Sequence, residues 1–252
     1  MINILITAGG TIEPIDKVRS ITNTGTGRLG SLIADSFSKA PSVNKIFYIC
    51  AHNTISPMSD KVAVIYIESV NDLQAAVIET IENHKIDVVI HSMAVSDYRV
   101  KAVSSVEALA EELNTKLQEQ ELLEENVKEI ILRGFDSNDL VKDTGKMSSQ
   151  INSPIILLEQ TPKILPMFKK LLPKSIVVGF KLLSQVSEEK LLGVAHRLLI
   201  ENECDYVLAN DTSDITGDQH KGFLIDKNRS IKTFYTKQEI AAGIVAAILE
   251  RI

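Results

Sequence analysis

The chain has 252 residues, 44% of them apolar and 24% charged, with a formal net charge of -6. That length can bury a substantial hydrophobic core in one large or two small domains, and the composition excludes an intrinsically disordered chain. The acidic balance excludes a general nucleic-acid surface or an anionic-membrane surface, so neither is an expected partner.

The opening stretch organises the rest. Residues 2–8 form an apolar, β-branched run that predicts a strand. Gly9, Gly10 and Thr11 follow as a turn. A polar loop then carries Arg19 and Asn23, and a second glycine-rich turn, from Gly25 to Gly30, opens a helix over residues 29–40. Backbone N–H groups exposed by glycines at a helix start suit phosphate or carboxylate oxygens. Strands are expected over residues 45–51, 62–68 and 87–92. The last of these is almost wholly apolar, as a strand covered on both faces should be. Leu73, Ala76, Val77 and Ile81 recur at helical spacing and predict a helix over 70–84.

Residues 106–127 are rich in Glu and Leu and read as one or two exposed amphipathic helices. Residues 130–143 read as irregular, and 142–150, which include Lys146, as a mobile loop. Strands resume at 155–158, 176–180 and 206–209. A helix is expected to begin near Pro162, with Thr161 as its N-cap and the proline at the first helical position. Another is expected over 187–203, then a hairpin with arms 223–226 and 230–235, and a final helix from residue 237 to the end. This alternation predicts an α/β fold: a Rossmann-like, mostly parallel sheet with helices on both faces, plus a β-hairpin extension. With no repeat and no low-complexity linker, residues 1–252 read as a single domain.

Cys50 and Cys204 lie in or beside apolar runs and read as buried thiols. No apolar run approaches the ~20 residues that span a bilayer. No charged leader precedes the first strand, so the cytoplasm is the expected location. The histidines are scattered and form no Ser-His-Asp or metal set; His52 and His220 read as surface loop residues.

Gly25, Gly27 and Gly30 match G-x-G-x-x-G literally. A dinucleotide fold would place that motif directly after the first strand and end the second strand in an acidic residue. Here another turn and a loop intervene, and the second strand runs into Cys50, Ala51 and His52. An NAD(P)-dependent Rossmann reductase is therefore kept as an alternative to an oxyanion-binding helix start. Other strand ends carry Asp97, Phe180 with Lys181, and Asn210 with Asp211. Open parallel sheets bind ligands at the carboxyl ends of their strands.

Together these residues resemble phosphopantothenoylcysteine synthetases in their stand-alone bacterial form. The markers are Ile6 to Thr11, Glu13-Pro14, Val18-Arg19, Asn23 to Gly30, Ala94 to Arg99, the Lys146 loop, Thr161-Pro162, Val178 to Phe180 and Ala209 to Asp211. The resemblance implies that 4′-phosphopantothenate and cysteine are joined at the expense of CTP, or of ATP, with Mg²⁺. It implies an acyl-nucleotide intermediate and a homodimer that shares its active sites. Lys146 would grip the nucleotide phosphates, and Asn23 would hold the intermediate. Arg19 from the partner subunit would clamp the 4′-phosphate, with Gly9, Gly10, Thr11 and Ala94 also on the substrate. Asp97 would hold the ribose or a Mg²⁺ water. Phe180 and the backbone at Met93, Ala94, Pro162 and Ile164 would frame the base, and Asn210 would also contact the nucleotide.

The chain departs from the family pattern in its cations. The usual Lys-x-Lys-Lys loop is Lys146-Met147-Ser148-Ser149 here. Lysines common near the end of the helix before Ala209-Asn210-Asp211 are replaced by Leu198 and Asn202, so Lys181, Lys190 or Arg197 would supply that charge. This thinned set also fits a non-catalytic nucleotide-binding relative. A separate phosphopantothenoylcysteine decarboxylase would act on the ligase product.

Overall fold

The structure is a computed structural model that describes residues 1–118, 127–137 and 145–252. In chain order the elements are β1 (Ile2–Ala8), β2 (Ile12–Pro14), β3 (Ser20–Thr22), α1 (Arg28–Ser38), β4 (Val43–Ala51), β5 (Val62–Ile67), α2 (Val70–Asn83), β6 (Val88–His91), β7 (Tyr98–Ser105), α3 (Val106–Gln118), α4 (Val127–Ser137), β8 (Pro154–Gln160), α5 (Leu165–Leu171), β9 (Ile176–Leu183), α6 (Glu188–Glu201), β10 (Tyr206–Asp211), β11 (Ile215–Thr216), β12 (Gln219–Asp226), β13 (Ile231–Thr236) and α7 (Lys237–Leu249). They form two compact units. The first comprises Met1–Thr11, Asn23–Val95 and Lys163–Ile252; the second comprises Ile12–Thr22 and Ser96–Pro162.

The first unit is built on a nine-stranded sheet ordered β11-β12-β10-β9-β6-β1-β4-β5, with β13 on β12. From β10 to β5 every pairing is parallel, while β12 runs antiparallel to β10 and to β13. This is the expected Rossmann-like sheet with its hairpin extension. Strand alternation sends neighbouring residues to opposite faces. Ile4 and Ile6 meet Ile33 and Phe37 of α1 and Ile240 and Ile244 of α7. Leu5 and Ile49 instead meet Leu73 and Val77 of α2, Phe168 of α5 and Leu191 and Leu199 of α6. Burying each such side chain is worth about 1.5–3 kcal/mol, which is why the central strands read as continuous apolar runs. Ser69 and Asp72 close a capping box on α2, and Ser187 and Thr236 cap α6 and α7. Cys50 and Cys204 are buried free thiols, as expected, and burial pushes them up to about 11 and about 12.

The second unit pairs β2 with β3 and β7 with β8, both antiparallel, and packs α3 and α4 together and against β7. Among the described residues, Ala102, Val103, Ile130 and Phe135 supply its buried apolar side chains.

Several expectations need correction. The strand expected at 155–158 is β8, which pairs with β7 and not with the main sheet. No strand was read at β7, because only its second half is buried. The helix expected from Pro162 begins at Leu165, with Pro166 in its first turn, and Thr161 does not cap it. The Thr161 hydroxyl donates to the Ser96 carbonyl instead, at 2.5 Å. Residues 127–137, partly read as irregular, are the helix α4. Of the helical stretch expected over 106–127, residues 119–126 lie outside the described residues, as do 138–144 of the stretches read as irregular and as a loop. His220 is buried, because β12 starts four residues earlier than the hairpin arm read from the sequence. Among the described residues, no helix is long and apolar enough to cross a membrane.

Gly30 shows how tightly α1 sits on β1. A Cβ there would lie 2.5 Å from the Ala8 Cβ and 2.8 Å from the Ser92 Oγ. Gly30→Ala should therefore cost about 1–3 kcal/mol of overpacking strain. Urea denaturation checks this, and an unchanged midpoint would refute the close-approach argument.

Candidate active site

Within the first unit the strand order reverses between β1 and β6. α1, which follows β1 in this unit, covers one face; α5, which follows β6, covers the other. Such a switch point leaves a crevice at the carboxyl ends of the two strands. Here the backbone is laced across it. Gly10 and Ala94 form a parallel bridge beyond the ends of both strands. The Ala94 N–H donates to the Gly9 carbonyl at 2.8 Å, and the Thr11 N–H donates to the Ala94 carbonyl at 3.2 Å. The Asn23 side-chain amide donates to the same Ala94 carbonyl, also at 3.2 Å. Gly9 has φ +85°, and a Cβ on it would collide with the Thr54 side chain at 2.2 Å. A Cβ on Gly25 would lie 2.6 Å from the Gly9 carbonyl oxygen, so the two glycine-rich turns touch backbone to backbone.

Helix α1 starts at this place. Its N-cap is Gly27 at φ +73°, which offers no side-chain cap, and its first turn carries no acidic residue. The helix dipole and the amide donors of that turn therefore favour an anion.

Of the expected residues in this unit, Gly9, Gly10, Thr11, Asn23 and Ala94 are thus held together. Phe180 and Asn210 lie farther along the sheet, on the adjacent strands β9 and β10. Phe180 packs into the core under α1 and α7, and the alternation of β10 puts Asn210 on the same face as Leu208. Lys181 falls on the opposite face, the one covered by α6, and Lys190 is exposed in the first turn of α6. Met93 and Ile164 are buried in the core beneath α2, α5 and α6. The expected nucleotide set of this unit is therefore split between the two faces of the sheet.

Sequence reading missed His91 here and gave Asp211 only as a strand-end residue with no role. His91, at the end of β6, is buried, and its Nδ1 pairs with the Thr7 hydroxyl at 2.7 Å, just beneath the glycine turn. Burial pushes its pKa down to about 4, so the ring is neutral at pH 7. Asp211 accepts hydrogen bonds from Ser213 Oγ and N–H at 2.7 and 2.9 Å and from the Gln185 and Val186 N–H groups at 2.9 and 3.0 Å. These donors, the Ser213 hydroxyl first, hold its carboxyl below the usual range. It braces the end of β10 against that of β9.

The remaining expected residues belong to the second unit. Arg19 is half-exposed and paired with the buried Asp16 at 2.9 Å. Lys146 and Asp97 are exposed. The Asp97 carbonyl accepts the Thr161 N–H at 3.1 Å, and Pro162 closes the unit.

A family model described as the DNA/pantothenate metabolism flavoprotein C-terminal domain matches residues 1–131 and 136–252. The chain belongs to this family. The coenzyme A biosynthesis bifunctional protein CoaBC of Thermococcus kodakarensis is 27% identical over 240 residues, which cover 94% of this chain and 48% of that protein. The protein of the same description from Methanocaldococcus jannaschii is 25% identical over 258 residues, 97% and 50% of the two chains. The family domain described here therefore spans about half the length of these relatives. Among solved structures, the DNA/pantothenate metabolism flavoprotein from Streptococcus pneumoniae superposes with a TM-score of 0.83 and 32% identity over 100% of both chains.

The buried imidazoles predict a pH dependence. His91 and His220, both pushed down to about 4 chiefly by burial, stay neutral in the folded state while the unfolded chain takes up protons below about 6.5. Their contribution is complete above about pH 6.5 and is lost as the pH falls towards 4. Urea unfolding between pH 7.5 and 4.5 should show this decline. His91→Gln should flatten it by up to about 1.4 kcal/mol per pH unit.

Proposed function

We propose that this chain joins 4′-phosphopantothenate to cysteine in coenzyme A biosynthesis, acting in the cytoplasm as a homodimer. The observation that carries the reading is the Ala94 carbonyl holding the Asn23 amide against the glycine turn at the switch point. Membership of the pantothenate-metabolism family supports it, as do the relatives described as coenzyme A biosynthesis proteins.

In this reading the pantothenate carboxylate attacks the α-phosphate of CTP, with ATP as the lesser substrate, and pyrophosphate leaves. The cysteine amine then attacks the activated carbonyl, loses a proton and expels the nucleoside monophosphate. Two anions must meet in the first step, so oriented donors and cations offset their repulsion. Lys146 grips the triphosphate, with Lys181, Lys190 or Arg197 adding charge, and Asn210 contacts the nucleotide. Arg19, from the partner subunit, clamps the 4′-phosphate, the fork geometry of a guanidinium suiting that group. Gly9, Gly10, Thr11 and Ala94 line the pantothenate, and the uncharged Asn23 amide steadies the acyl-nucleotide. Phe180 and the backbone at Met93, Pro162 and Ile164 frame the base.

Mg²⁺ takes hard oxygen donors and is commonly held by one or two carboxylates together with substrate phosphates. The exposed Asp97 carboxylate meets that requirement, either through a metal-bound water or by holding the ribose instead. Bound there, the ion would neutralise phosphate charge. A separate decarboxylase would consume the product.

The test is pyrophosphate release from CTP or ATP in the presence of 4′-phosphopantothenate, cysteine and Mg²⁺. Turnover with CTP, and less with ATP, is expected. No nucleotide-dependent release with either would overturn the reading, and binding without turnover would favour a non-catalytic relative. Lys146→Ala should slow acyl-nucleotide formation by about 10²-fold or more. Asn23→Ala should spare that step and slow attack by cysteine by a similar factor. Quenched-flow separation of the two steps reads both.

A further inference from the structure

One carboxylate in the second unit binds two stretches that lie far apart in the chain. Asp16 Oδ1 accepts the Val18 and Arg19 N–H groups, each at 2.8 Å. Its Oδ2 accepts the Arg19 Nη1 at 2.9 Å and the Met147 N–H at 3.0 Å. The Asp16 side chain is fully buried. These donors, with the Met147 N–H first, hold its carboxyl below the ordinary range, so the acid is charged at neutral pH.

The contact extends to both neighbours of Lys146. The Lys17 N–H donates to the Gly145 carbonyl at 3.0 Å, and Arg19 Nη1 also reaches the Met147 carbonyl at 3.4 Å. Gly145 has φ +65°, and a Cβ there would lie 2.6 Å from the Lys17 Cε, so the two segments meet closely. Lys146 is therefore bracketed. The residue before it is tied to Lys17, and the residue after it to Asp16 and Arg19.

We propose that Asp16 is a positioning residue that makes the Arg19 turn and the Lys146 segment of one chain a single unit, so that the clamp this chain extends to the phosphate in its partner's site and its own grip on the nucleotide are set together. The inference rests on the ligation reading for the roles of Arg19 and Lys146. The physical case is the chemistry of the acceptor. A carboxylate has two oxygens that only accept, and here four donors from both segments converge on them. An amide in its place would turn one of those oxygens into a donor, opposing either the Val18 and Arg19 N–H groups or the Met147 N–H and the Arg19 guanidinium, and would remove the charge that all four donors share. Asp16→Asn therefore keeps the shape and weakens the tie in either orientation.

The test compares the wild-type protein with Asp16→Asn, Arg19→Ala and the double variant. Three kinetic quantities are measured: KM for 4′-phosphopantothenate, acyl-nucleotide formation without cysteine, and consumption of the accumulated acyl-nucleotide by cysteine. Amide hydrogen exchange at Met147 is followed in parallel. Asp16→Asn should raise KM and slow the first step, each by about tenfold or more, as expected for lost hydrogen bonds to a charge. The cysteine step should change by less than about twofold, because Asn23 lies outside the tie. In the double variant the KM effect should fall well short of the product of the single effects, since Asp16 acts on that phosphate through Arg19. Exchange at Met147 should accelerate. Unchanged KM and first-step rate in Asp16→Asn would overturn the proposal, as would fully multiplicative effects or an equal loss in both steps with a lowered Tm. If the wild-type protein releases no pyrophosphate, the ligation reading itself fails. Exchange then decides the tie alone: protection at Met147 unchanged by Asp16→Asn removes it.

Discussion

Two parallel strands buried on both faces must end somewhere, and their last backbone groups must still find partners. β1 and β6 meet that demand by continuing to pair after each has ceased to be a strand, through Gly9, Gly10 and Thr11 on one side and Ala94 on the other. The pairing needs a left-handed residue at Gly9 and no side chain where Thr54 presses against it. Once these bonds form, the glycine turn, the Asn23 amide and the start of α1 are fixed relative to one another.

Charge in the second unit is managed by the same device, backbone N–H groups turned on a carboxylate. Asp16 is buried yet remains ionised, because its desolvation is offset by amide donors and by Arg19. Asp211 follows the same rule in the first unit, where it braces two strand ends. Neither acid needs to touch a ligand to matter, since each determines where neighbouring groups can be.

The architecture was legible to different degrees for physical reasons. Strands covered on both faces, such as β1, β4 and β6, advertise themselves as unbroken apolar runs. α2 shows its buried stripe at helical spacing and its capping box in Ser69 and Asp72. β7 is buried only along its second half and gives no clean alternation, and β2 and β3 have three residues each. α4 carries a glycine and polar residues that hid its helical face. Thr161 looked like a cap because it precedes a proline, but the nearby Ser96 carbonyl was the better partner.

Sequence alone was sufficient for the Rossmann-like class, the hairpin extension, the buried thiols and the resemblance that named Asn23, Ala94 and Lys146. These depend on hydrophobic period, on turn chemistry and on motifs, all of which are local in the chain. Tertiary structure alone decided that His91 would be a neutral partner of Thr7, 84 positions away, and that Asp16 would hold Met147, 131 positions away. Hydrogen bonds and burial act through space, and a residue's chemistry changes with neighbours that no local pattern can reveal.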